Sequence, residues 1–245
     1  MTAKTSTRRV QRVQHEIKRR ELSVVRVEAT SPGFRRIVVA GAPMAGFVSA
    51  SFDDHVKLFI DTGDGEAVRR DYTPRRHDAA AGELTLDFAL HDDGPASDWA
   101  ARARPGDALT VAGPRGSFII PLDFDWHLLV GDASALPAIE RRLEELPAGT
   151  RAIVLLQLDA VDRRPLASAA ELQVQHVDSD AALIAAARAL ALPPGDGYAW
   201  CAGEATVMAT LRRVLVDEKG HDRHAIRAAA YWKRGAIAHH ENLES

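Results

Sequence analysis

A chain of 245 residues, 46% hydrophobic and 27% charged, has the length and composition of one or two folded domains and is not a disordered or fibrous protein. With 31 Lys and Arg against 34 Asp and Glu the net charge is −3, which excludes nucleic-acid binding through bulk charge. The single cysteine, Cys201, excludes an internal disulfide and a cysteine-ligated iron–sulfur cluster, which takes about four, and it suits a reducing cytoplasm.

The first 20 residues hold Lys4, Arg8, Arg9, Arg12, Lys18, Arg19 and Arg20 against Glu16 alone. The expectation is a solvated terminal segment rather than a nucleic-acid or membrane arm. No apolar h-region follows these charges, and no apolar run reaches the roughly 18 residues of a membrane span. Short β-rich runs come next: Leu22–Thr30, Arg36–Ala40, His55–Ile60, Leu84–Leu90 and Ala108–Ala112. Turn residues punctuate them at Pro32-Gly33, Gly63–Gly65, Ala81-Gly82 and Pro105–Asp107, with one helical interruption over Pro95–Arg104. That spacing predicts an antiparallel sandwich or barrel.

Near Pro121 the period lengthens. Strands are predicted at Leu128–Val130, Ala152–Leu158, Leu172–Val177, Tyr198–Ala202 and Ala225–Tyr231, and helices at Ser134–Leu146, Asp180–Ala191 and Glu204–Lys219. Strands alternating with helices imply an open parallel sheet covered on both faces. The expected division is residues 1–122 as an antiparallel β-barrel domain and residues 123–245 as an α/β domain.

Five stretches carry chemistry. Arg70-Asp71-Tyr72-Thr73 ends a strand, where alternation puts Arg70 and Tyr72 on one face. A fixed guanidinium suits a pyrophosphate, an aromatic ring suits a flavin face, and a hydroxyl suits its polar edge. Then comes His91-Asp92-Asp93-Gly94-Pro95-Ala96-Ser97-Asp98-Trp99, in which a glycine and an N-terminal proline open a helix whose free amides favour a diphosphate. Gly113-Pro114-Arg115-Gly116 is a turn with Arg115 available for a phosphate or an interdomain ion pair. Gly131-Asp132-Ala133-Ser134-Ala135 and Ala202-Gly203-Glu204-Ala205 are both strand-to-helix turns, the place where open α/β sheets bind nucleotides. Neither is a G-x-G-x-x-G fingerprint.

Taken together with Asp54–Phe59, Trp200–Ala205 and Tyr231-Trp232-Lys233-Arg234-Gly235, these stretches give a chain that resembles the siderophore-interacting proteins within the ferredoxin-reductase-like flavoproteins. The resemblance runs from about residue 15 to about residue 240. It implies FAD-dependent reduction of a ferric siderophore to release Fe(II), with electrons from NADH or NADPH. It assigns FAD contacts to Arg70, Asp71, Tyr72, Thr73, His91, Gly94, Pro95, Ala96, Ser97 and Arg115. It assigns NAD(P)H contacts to Gly131, Asp132, Ser134, Gly203 and Glu204, and siderophore contacts to Lys57, Lys233 and Arg234. No residue is assigned as a catalytic acid or base, and no resident metal is implied. Where the family has G-D-E-T-A this chain has G-D-A-S-A, so Ser134 keeps the hydroxyl while Ala133 replaces a carboxylate. Alternative readings are a reductase for another acceptor and a non-enzymatic FAD or siderophore binder. Asp159, Arg163 and Arg164 follow the second α/β strand and leave NADH and NADPH both open. His239-His240-Glu241 is read as a solvated tail rather than a metal site. The expected protein is a cytoplasmic monomer.

Overall fold

The computed structural model describes residues 10–61, 63, 65, 67–91 and 94–236, and the backbone of 241 and 242. Asp92, Asp93, His239 and His240 lie outside the described residues.

The N-terminal half is a seven-stranded antiparallel sheet built from β2 (Arg19–Ser31), β3 (Phe34–Ala40), β4 (Val56–Ile60), β5 (Val68–Tyr72), β6 (Arg76–Asp78), β7 (Glu83–Ala89) and β8 (Ala108–Ala112). Its order is β5-β4-β8-β2-β3-β7-β6. Leu22, Val24, Ile37, Val39, Val56, Leu58, Leu84, Leu86 and Val111 recur at alternate or near-alternate positions along their strands and fill one core. The sheet curls around that core as a half-barrel. β5 and β6 are its two edges, and the connection between them passes through Pro74, which has no amide to give a ladder. Helix α1 (Pro95–Arg102) packs Ala96 and Ala100 into the same core. A separate two-stranded ribbon pairs β1 (Gln11–Gln14) with β9 (Gly116–Ile119).

The C-terminal half contains β10 (Trp126–Gly131), α2 (Leu136–Glu145), β11 (Arg151–Gln157), β12 (Glu171–Val177), α3 (Asp180–Ala189), β13 (Gly197–Glu204), α4 (Ala205–Arg213), β14 (Ile226–Trp232) and β15 (Glu241–Asn242). The sheet order is β12-β11-β10-β13-β14-β15, with β15 alone antiparallel. Strands β10, β11 and β13 are apolar almost throughout because both faces are covered. Helices α3 and α4 cover one face. Helix α2 covers the other, together with Phe34 and Phe52 from the antiparallel half. The strand order reverses between β10 and β13, which makes the crevice beyond their carboxyl ends the ligand position of an open α/β sheet.

Candidate functional site

The register of β4 and β5 sorts the R-x-Y-T residues by face. Leu58 pairs with Arg70 and Val56 with Tyr72, so those two side chains share the core face of the sheet. Lys57 pairs with Asp71 on the outer face, where Lys57 Nζ lies 2.6 Å from Asp71 Oδ1. The Tyr72 ring lies 4.3 Å from Phe88, and Phe88 lies 5.6 Å from Trp99 of α1, so a ladder of rings fixes β5 against the helix. Burial raises the Tyr72 phenol above its usual pKa, against the opposing effect of Arg70 nearby. Arg70 donates one bond to its neighbour's carbonyl, Arg69 O, at 2.8 Å, and among the described residues no carboxylate is paired with it.

Helix α1 begins with Gly94 at its cap and Pro95 in its first turn, and no side chain caps its amides. A Cβ at Gly94 would stand 2.5 Å from the His91 ring, so the loop closes tightly there. The Ser97 hydroxyl accepts from His91 N at 2.9 Å and donates to His91 O at 2.8 Å. Its side chain therefore holds the loop, and its amide is what remains for a ligand. A cation, an uncapped helix start and an aromatic platform on three contacting elements fit the diphosphate and ring of FAD. Arg115 is exposed on the turn after β8, where its carbonyl accepts from His15 N at 2.9 Å.

The second half of the site lies at the carboxyl ends of β10, β13 and β14. A Cβ at Gly131 would be 2.5 Å from Ala135 Cβ, so only glycine lets β10 turn this tightly. Gly203 has φ +149, and a Cβ there would stand 2.4 Å from Asp132 Oδ2. Asp132 accepts four bonds. Ser134 N at 2.9 Å and the Ser134 hydroxyl reach Oδ1; Glu204 N at 3.0 Å and Trp232 Nε1 at 2.9 Å reach Oδ2. Burial raises the Asp132 pKa, and these donors oppose the rise. Glu204 caps α4 by accepting from Thr206 N and Val207 N, and its other oxygen takes Arg234 N at 3.3 Å. Lys233 and Arg234 line a cleft of ≈ 480 Å³ with Asp180, Glu204 and the first turn of α4, and Arg234 also pairs with Asp180 at 3.1 Å.

Thr73 joins the two halves. It is buried, and its hydroxyl shares a hydrogen bond with Tyr231, whose phenol burial holds above its usual pKa. The structure thus ties Thr73, the residue after β5, to Tyr231 near the carboxyl end of β14. It leaves Lys57 on the outer face of the half-barrel and Lys233 and Arg234 on the α3–α4 side.

The sequence reading missed the charged contacts that hold these halves together. Arg75 is buried and donates to Glu140 Oε2 at 3.2 Å and to both oxygens of Glu144, all on α2. Beside it, Arg36 makes a two-pronged pair with Asp87 within the half-barrel at 2.7 Å for each prong, and Arg164 reaches Glu140 within the C-terminal half at 2.8 Å. Arg227 Nε lies 2.6 Å from Asp53, and Trp200 Nε1 donates to the same carboxylate at 3.3 Å. The sole sequence signal was Arg75 itself, two residues beyond Thr73. Among the described residues no group of His, Cys, Asp and Glu is placed to hold a metal ion, and no helix is long and apolar enough to cross a membrane.

Residues 124–235 match the family model described as siderophore-interacting protein, and residues 23–67 and 61–118 match its siderophore-interacting FAD-binding domain. An NADPH-dependent ferric-chelate reductase of Escherichia coli is 39% identical over 91% of this chain and 96% of its own length. The ferric vibriobactin reductase ViuB of Vibrio cholerae is 31% identical over 91% of this chain and 93% of its own. A siderophore utilization protein from T. fusca superposes with a TM-score of 0.86 at 34% identity, covering 93% of this chain and 97% of that one. The half-barrel followed by a parallel sheet is the ferredoxin-reductase-like arrangement of such FAD- and nucleotide-binding proteins. The chain belongs to the siderophore-interacting protein family.

Proposed function

We propose that this protein is an FAD-dependent NADPH:ferric-siderophore oxidoreductase that releases Fe(II) from the chelate. The observation that supports the reading is the Thr73–Tyr231 hydrogen bond, which ties the residue after β5 to β14 of the α/β sheet. Bound FAD supplies the conversion from hydride to single electrons, so one NADPH reduces two Fe(III) and yields NADP⁺ and a proton.

The protein's own groups bind and orient. Arg70 and the amides of α1 hold the FAD diphosphate, and Tyr72 and Thr73 flank its ring system. His91, Gly94, Pro95 and Ala96 shape the loop around it, and Arg115 is the outermost cation of that set. The turns Gly131–Ser134 and Gly203-Glu204 receive the nicotinamide nucleotide. Lys233 and Arg234 attract an anionic ferric chelate, and Lys57 adds charge to the extent that Asp71 leaves it free. Fe(II) has lower charge density than Fe(III) and is held less tightly by hard oxygen donors, so no acid or base need cleave the ligand. The Lys57–Asp71 pair favours, as a second reading, a reductase whose acceptor is not strongly anionic. We further propose residues 1–122 as the FAD-binding domain and residues 123–245 as the nucleotide-binding domain, in a monomer working in the cytoplasm.

The purified protein should be yellow, should bleach with NADPH under anaerobic conditions, and should deliver Fe(II) to a ferrous chelator when given a ferric siderophore. Arg70→Ala should weaken FAD binding about 10–100-fold, the range for losing a charge-assisted contact. Protein that stays colourless and cannot be reconstituted with FAD rejects the reading. Reduction of quinones or free flavin with no ferric-chelate turnover selects the second one.

A further inference from the structure

Trp232 ends β14 with its side chain about two-fifths exposed, at 38%. The other three tryptophans are not exposed: Trp126 and Trp200 are buried and Trp99 is half-buried. An exposed indole samples several rotamers unless something holds it. Here its Nε1 donates to Asp132 Oδ2 at 2.9 Å, a carboxylate that sits in the turn after β10, a hundred residues earlier in the chain. The same oxygen accepts Glu204 N from the β13 turn at 3.0 Å. Over the ring, the Arg234 guanidinium lies 5.7 Å from its centroid, and Arg234 N is held by Glu204 Oε1 at 3.3 Å. The indole is therefore bracketed by the two turns that the sequence assigns to the nucleotide. With all four of its bonds made inside the protein, Asp132 cannot accept from a nucleotide without releasing one of them.

We propose that Asp132 is a positioning residue that fixes the Trp232 indole and, through it, the Lys233–Arg234 segment where the ferric chelate is received. This rests on the reductase reading above. The turn that faces the electron donor and the segment that faces the acceptor are then one hydrogen-bonded unit. In Asp132→Asn, one oxygen can keep the Ser134 bonds, while the amide opposes the two donors Trp232 Nε1 and Glu204 N. The indole is released.

Two measurements test the tether. In apo protein, iodide quenching of tryptophan fluorescence reports Trp232, the one exposed tryptophan, without needing FAD or activity. D132N should quench more strongly than wild type, and the increase should vanish in D132N/W232F. In the FAD-loaded enzyme, D132N and W232F should each raise KM for a ferric chelate about threefold to tenfold, the worth of one hydrogen bond, with a smaller change in kcat. The double variant should be no worse than the poorer single one. Unchanged quenching in D132N, or KM effects that multiply in the double variant, overturns the proposal. If D132N does not fold, W232F still decides, because it keeps an aromatic ring and removes the Nε1 donor: an unchanged KM overturns the tether. A wild type that reduces no ferric chelate defeats the reductase reading, and the quenching comparison still judges the tether.

Discussion

Asp71 and Lys57 show how a residue chosen by motif acquires its meaning from register. Both were read as ligand contacts, one for FAD and one for the siderophore. The β4–β5 pairing also sets them opposite each other at 2.6 Å. Lys57 is 45% exposed, so the pair is a screened surface one, worth about 0.2–1 kcal/mol. Asp71→Asn should free the ammonium and lower KM for an anionic ferric chelate by about twofold to fivefold, as measured by initial rates at low salt. His127 is a second residue-scale case. It is 1% exposed on β10, and burial, reinforced by Arg142, pushes its pKa down to about 3. The unfolded chain binds a proton at this site below about pH 6.5, while the folded one does not until about pH 3. The stability it supports is thus complete above 6.5 and is lost as the pH falls. Between pH 7 and pH 4.5 the wild type should lose about 2–3 kcal/mol more than His127→Gln, measured by urea unfolding at both values.

At the scale of elements, α2 is a helix with a buried charged face. Glu140, Arg141, Arg142 and Glu144 form a charged stripe along it, and Glu140 and Arg142 are buried. That stripe faces the half-barrel. Arg141 donates to Ser49 O at 3.0 Å and Pro74 O at 2.9 Å, and Arg142 donates to Ile120 O at 3.1 Å and Pro121 O at 2.7 Å. A charged face can be buried when every charge finds a partner, and the six-residue set Arg36, Arg75, Asp87, Glu140, Glu144 and Arg164 supplies them. Arg75→Ala leaves Glu140 and Asp87 short of a cation and should cost about 3–5 kcal/mol in urea unfolding, with part of that loss recovered in Arg75→Ala/Glu140→Gln.

At the scale of the molecule, a net charge of −3 coexists with cations gathered after β14. Local charge, not the total, sets the encounter with a small ligand. Raising ionic strength from about 0.01 to 0.15 M shortens the screening length from roughly 30 to 8 Å. The kcat/KM for an anionic ferric chelate should fall across that range, and that for a neutral one should hold. An equal response from both chelates would remove Lys233 and Arg234 from the acceptor role.

The sequence alone determined the class and order of the elements, because alternation and helical period are local properties. Strand β8 is found at the residues expected, Ala108–Ala112, and α1 starts at Pro95 as expected. The short strands β1, β6 and β9 carry too few residues for a period to register, and they exist through their partners. The motif order also pointed to the family. Only the tertiary structure decided what the motif residues touch. Asp132 and Glu204, expected at the nucleotide, also bracket the strand ends. Ser97 turns its hydroxyl back on its own loop, and Thr73 spends its hydroxyl on Tyr231. Hydrogen bonds between residues about a hundred positions apart leave no periodic trace in a chain. They appear once two sheets are packed and each buried polar atom must find a partner.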